Sequence, residues 1–158
     1  MKRMLSCLFL IPVLLCMLLL SACGKASVTK NIKELSGLDL SGCRVVSSDD
    51  THGGWLGDGA TTIHFDCSQM IDSVLQQTDS WRNLPLSENL QRMMYSGNSL
   101  AQECGIPAVE HGRYFFVDRQ SETDIHSDRD LFARPSFNFT LLILDTDHDQ
   151  LYYFKFDT

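Results

Sequence analysis

The chain is poor in several things, and each shortage excludes a class. It has only four prolines and two tryptophans in 158 residues. There is no proline-rich or glycine-repeat tract, so collagen-like and low-complexity architectures are out. Basic residues are scarce, 13 against 20 acidic, for a net charge of −7. The few that exist form no cluster, so nucleic acid is not an expected partner. No G-x-x-x-x-G-K, G-x-S-x-G or paired C-x-x-C motif occurs, so phosphate-loop, nucleophile-elbow and zinc-ribbon chemistry lack their signatures. No internal repeat is present. What is abundant is apolar side chain, 44% of the chain, which is enough to build one hydrophobic core.

Much of that apolar content is at the front. Lys2 and Arg3 precede an almost unbroken apolar run, Met4 to Leu20, followed by small residues and a cysteine. A basic start, an apolar middle and small residues before a cleavage point describe a secretory signal, here 1–22. The segment Leu20-Ser21-Ala22-Cys23 resembles the lipobox of bacterial lipoproteins. That resemblance implies a diacylglycerol on the Cys23 thiol, further acylation with chains such as palmitate, and cleavage before Cys23. It implies residence on the extracytoplasmic face of a membrane. The rival reading is an uncleaved anchor in which Cys23 is ordinary. Residues 23–34 then read as the lipidated cysteine and a short polar tether, and 35–158 as a single domain. Three lysines in the tether, Lys25, Lys30 and Lys33, could lie near anionic headgroups.

Periodicity predicts an α+β domain of order ββααβββ. Its antiparallel sheet has about five strands, with two helices packed on one face. A hairpin centred on Trp55 pairs Val45 with Phe65 and Arg44 with Asp66, and sets Cys43 opposite Cys67. An exported domain allows a disulfide there, with Cys104 left over; three reduced cysteines are the alternative. Ser68 and Ser87 are expected N-caps of two helices, the second burying Leu90, Met93 and Met94. Ser96 to Gly112 reads as mostly loop. Arg113 to Val117, Ser136 to Leu144 and Leu151 to Phe156 read as strands. The last two pair with Phe139 opposite Phe156, Leu141 opposite Phe154 and Ile143 opposite Tyr152. The stretches Asp50-Thr51-His52-Gly53-Gly54, Tyr114-Phe115-Phe116-Val117-Asp118-Arg119 and Ser136-Phe137-Asn138-Phe139-Thr140 resemble those of small uncharacterised bacterial lipoproteins and secreted proteins. That resemblance implies no activity.

Two loops carry the residues with chemistry. The first holds Asp50, His52, Gly53, Gly54, Trp55 and Asp58. Its imidazole and carboxylates could act as acid and base or hold a metal, and Trp55 with Leu56 could contact a partner or the bilayer. A self-bonded hairpin loop explains the same residues. The second, Asp118 to Pro135, holds Arg119, His126 and Asp128; His126 and Asp128 could meet His52 in space, or the loop could simply be solvated. Asp145-Thr146-Asp147-His148-Asp149 imitates a calcium loop. Gln150 and Phe156 stand where that loop needs Gly and Glu, so a turn is the better reading. No catalytic residue, metal or cofactor is assigned. The leading expectation is a non-enzymatic, membrane-anchored binding module of the cell envelope. The alternatives are a small metal-dependent or acid–base hydrolase built on His52 and Asp58, and an inhibitor or immunity protein.

Overall fold

The computed structural model describes residues 27–53, 57–97 and 99–158. The signal, the lipobox and Cys23 therefore lie outside the described residues, as do Gly54 and Trp55. The chain divides into two units, Met1–Ser41 and Gly42–Thr158. In the first, residues 27–36 form helix α1 where a tether was expected. The left-handed Gly37 (φ +76°) ends it, donating its N–H to Lys33 O at 2.9 Å. Lys30 pairs with Glu34, and Lys33 with Asp39 at 2.6 Å. That bond, together with the Ser41 N–H, holds the Asp39 carboxyl far below the ordinary carboxylate range. No helix among the described residues is long and apolar enough to cross a membrane.

The second unit is α+β, built on an antiparallel sheet. Its strands are β1 (Arg44–Asp50), β2 (Gly59–Asp66), β3 (Arg82–Asn83), β4 (Gly112–Asp118), β5 (Asn138–Asp145) and β6 (Gln150–Asp157). Their spatial order is β1-β2-β6-β5-β4-β3. The helices are α2 (Ile71–Gln77), α3 (Glu88–Tyr95) and α4 (Leu100–Glu103). The β5/β6 hairpin has the expected register throughout, Phe139 facing Phe156 and Ile143 facing Tyr152. In the first hairpin Arg44 faces Asp66 and Val45 faces Phe65, and then a bulge at Val46 shifts the register by one. Val46 is consequently 46% exposed. Beyond Val45 the residues of β1 are also largely exposed.

One sheet face carries Phe116, Phe139, Leu141, Ile143, Tyr152 and Phe154. They pack against Leu90 and Met94 of α3, Ala101 of α4, and Ile106. Leu90 and Met94 stand one helical turn apart, which places both on the inner stripe. Ser87 caps α3 as expected, its hydroxyl accepting from Leu90 N–H at 3.4 Å.

Four expectations need correction. The sheet has six strands rather than about five, because Arg82–Asn83 adds a short edge strand to β4. A short helix, α4, interrupts the stretch read as loop, with Ser99 accepting from Gln102 N–H as its cap. Helices do not share one face. Arg113, opposite Leu144 and therefore on the other face, donates to Leu75 O of α2 at 2.9 Å. That second face is as dry as the first, since Thr140, Leu142 and Leu144 are all buried. Nor does Ser68 cap α2. Asp66 accepts both its N–H and its hydroxyl, and the cap position falls to Met70.

Candidate functional site

The first loop is fastened at its root. Thr51 N–H donates to Ala60 O and Ala60 N–H to Thr51 Oγ1, both at 2.9 Å. Gly53 N–H reaches Asp58 O at 3.3 Å. Gly59 is required here, because a Cβ on it would stand 2.5 Å from His52 Cα. Asp50 folds back on the loop and accepts both the His52 N–H (3.0 Å) and its Nδ1 (2.6 Å). Those two bonds hold the Asp50 carboxyl below its usual pKa. On its other side His52 Nε2 lies 3.0 Å from Oδ2 of Asp157. Both ring nitrogens are thus occupied by carboxylates. Asp58 is exposed, and its carbonyl accepts the Gly53 N–H.

Asp157 is the hub. Its Oδ1 accepts from Arg119 at 2.6 Å, and its Oδ2 accepts from Lys155 at 2.8 Å as well as meeting His52. Arg119 also donates to the carbonyls of Phe139 (3.1 Å) and Phe156 (2.9 Å), which locks it across the ends of β5 and β6. Burial pushes the Asp157 carboxyl up, but the bonds from Lys155 and Arg119 outweigh it and leave the pKa lowered. His52 and Arg119, from the two different loops, therefore meet on one carboxylate.

His126 and Asp128 are held elsewhere. His126 Nδ1 donates to Phe116 O at 2.9 Å, and its ring lies 5.1 Å from that of Phe115. Phe115 in turn lies 5.4 Å from Trp81. Asp128 accepts the hydroxyl of Ser87, and its carbonyl accepts Asn89 Nδ2 at 2.9 Å. The second loop is therefore clamped onto the start of α3 rather than free in solvent. Among the described residues no three His, Cys, Asp or Glu side chains converge as metal ligands would.

Cys43 and Cys67 are disulfide-bonded, with Cα atoms 4.5 Å apart; Cys104 is free, and burial raises its thiol pKa. The residues the sequence reading passed over are Asp157, Lys155, Trp81 and Phe115. Asp157 joins the site only because β6 pairs with β2, setting it opposite Gly59, and no local pattern announces a pairing between such distant strands.

No family model matches the chain, and neither a curated protein nor a solved structure matches it.

Proposed function

We propose that the chain is a bacterial lipoprotein, lipid-anchored at Cys23 on the extracytoplasmic face of a membrane, whose folded unit binds a ligand or envelope protein without catalysing a reaction. The anchoring part rests on Lys2, Arg3, the apolar run and Leu20-Ser21-Ala22-Cys23. Two or more acyl chains would hold it stably, where one would not. The non-enzymatic part rests on one observation: Asp50 and Asp157 occupy both nitrogens of His52. A histidine so held has no nitrogen left to take a substrate proton or to bind a metal. Its role in this reading is to brace the root of the loop for a partner.

The test has two arms. Cys23→Ser should move the protein out of the membrane fraction and abolish incorporation of labelled palmitate. Unchanged fractionation and labelling would end the anchored reading. Pull-down of envelope fractions with the full chain, repeated with His52→Ala, should lose a partner on that substitution. Hydrolysis of envelope material that disappears in His52→Ala would favour the hydrolase instead.

A further inference from the structure

The outer edge of β4 is covered at both ends and open in the middle. At one end β3 pairs Arg82 with Tyr114, and Leu84 N–H donates to Gly112 O at 3.0 Å. At the other, Asp118 N–H donates to Ile125 O at 2.6 Å and His126 Nδ1 to Phe116 O. In an antiparallel strand the N–H and C=O of one residue point to the same side. Gly112, Phe116 and Asp118 all turn a bonded group outward, so the Phe116 N–H also points into the opening. Among the described residues no backbone carbonyl outside the ladders accepts from it.

A pocket of about 330 Å³ lies over this opening, lined by Trp81, Arg82, Phe115, Phe116 and His126 among others. Trp81 is 7% exposed, and its indole Nε1–H, without an acceptor among the described residues, is covered by protein rather than open to the pocket. The Phe116 N–H, unpaired at the opening, calls for an acceptor-bearing occupant. Since His126 Nδ1 donates to a carbonyl, the neutral ring keeps its lone pair on Nε2 and offers an acceptor as well. The half-buried Phe115 ring supplies a flat apolar surface between Trp81 and His126.

We propose that this pocket binds a single neutral hexopyranose, free or at the end of a glycan. Sugar hydroxyls both accept and donate, which answers the Phe116 N–H and His126 Nε2 together. The C–H face of a pyranose matches an aromatic ring. The volume is at the small end for ligand pockets. An anionic ligand is disfavoured because Arg82 already donates to His126 O at 2.7 Å and faces Asp128 at 3.9 Å. A peptide strand is disfavoured because β3 and Ile125–His126 close the edge at both ends, leaving no run of unpaired backbone. The proposal stands apart from the anchored reading: it needs neither Cys23 nor the His52 loop, and its failure leaves both untouched.

The experiment is a nitrogen–proton correlation titration of the full-length chain in a detergent without a sugar headgroup. The probes are methyl glucoside, methyl galactoside, methyl mannoside and N-acetylglucosamine, with a capped phenylalanine dipeptide as the rival. At least one glycoside should shift the Trp81 indole and Phe116 amide signals along one saturable curve. Phe115→Ala should weaken that binding about tenfold or more, and Phe115→Tyr should retain it. If Phe115→Ala does not fold, Phe115→Leu, apolar but without a ring, decides in the same way. The proposal is overturned if no glycoside moves these two signals, if only the dipeptide does, or if losing the ring leaves the midpoint unchanged.

Discussion

Breaking the Cys43–Cys67 bond should unfasten one strand before it unfolds the domain. The bond closes a loop with a sequence separation of 24. The chain-entropy relation for a loop of that length gives about 3.5 kcal/mol of stabilisation. How that loss is expressed follows from what each cysteine is tied to. Cys67 is fully buried, and its N–H donates to Asp149 O in the β5/β6 turn, so it belongs to the body of the sheet. Cys43 precedes β1, a strand that buries little and carries a bulge. Beyond the disulfide, the described bonds that hold that strand are the β2 ladder, the Arg44–Asp66 pair (2.7 Å) and the contacts of Asp50 with His52. Urea unfolding of the full chain, oxidised and as Cys43→Ala/Cys67→Ala, measures the effect. With a urea slope of about 2 kcal/mol/M the midpoint should fall by up to about 2 M. Hydrogen exchange should show amides of Ser47 to Asp50 losing protection first, while Leu141 and Phe154 keep theirs. Identical midpoints with and without the bond would refute the reasoning. So would uniform loss of protection across β1 and β5, since it would make β1 integral to the core.

Other perturbations have expected outcomes. Asp157→Asn removes the ionised acceptor shared by Arg119, Lys155 and His52, and should cost about 2 kcal/mol in thermal or urea unfolding. Because the Asp157 carboxyl is held below its ordinary pKa, its stabilisation is complete above about pH 4 and fades as pH falls toward the lowered value. The pH dependence of unfolding in Asp157→Asn should therefore be flatter in that acid range. Met94→Ala empties a fully buried position facing the sheet and should cost about 2–5 kcal/mol. Ser87→Ala removes both the α3 cap and the partner of Asp128, and should cost about 1–2 kcal/mol, with faster exchange in the loop around His126. His148 is bonded to Asp145 at 2.8 Å, which raises its pKa above the model-peptide 6.5. In a proton NMR titration Asp145→Asn should lower that midpoint.

The parts of the fold that were legible were local. The β5/β6 hairpin could be read because its turn is short and acidic, and because its alternating faces match in only one register. Ser87 could be read because a serine hydroxyl before a helical apolar stripe has a chemical task at the first turn. The bulge at Val46 was hidden, since one extra residue in a ladder leaves no mark in composition. The second buried face is hidden too: the polar side chains Thr140 and Lys155 on it suggest solvent, but Thr140 is buried. The site suffered most. His52 and Arg119 were identified separately, and the residue that joins them, Asp157, depends on the β2/β6 pairing between strands at opposite ends of the unit. Tertiary pairing of that kind follows from the whole sheet rather than from any window of sequence.

The strand order has a consequence in time. β1 and β2 come first in the chain, yet their only neighbour beyond each other is β6, which comes last of the six. As the chain emerges N-terminus first from a ribosome, the first hairpin has no sheet to join until β6 appears. β6 seals two seams at once, against β2 on one side and β5 on the other. Until then the domain is two separate fragments, an isolated hairpin on one hand and β3, β4 and β5 on the other. Isolated two-stranded hairpins are marginal in water. The sheet thus stays unfinished until β6 has emerged.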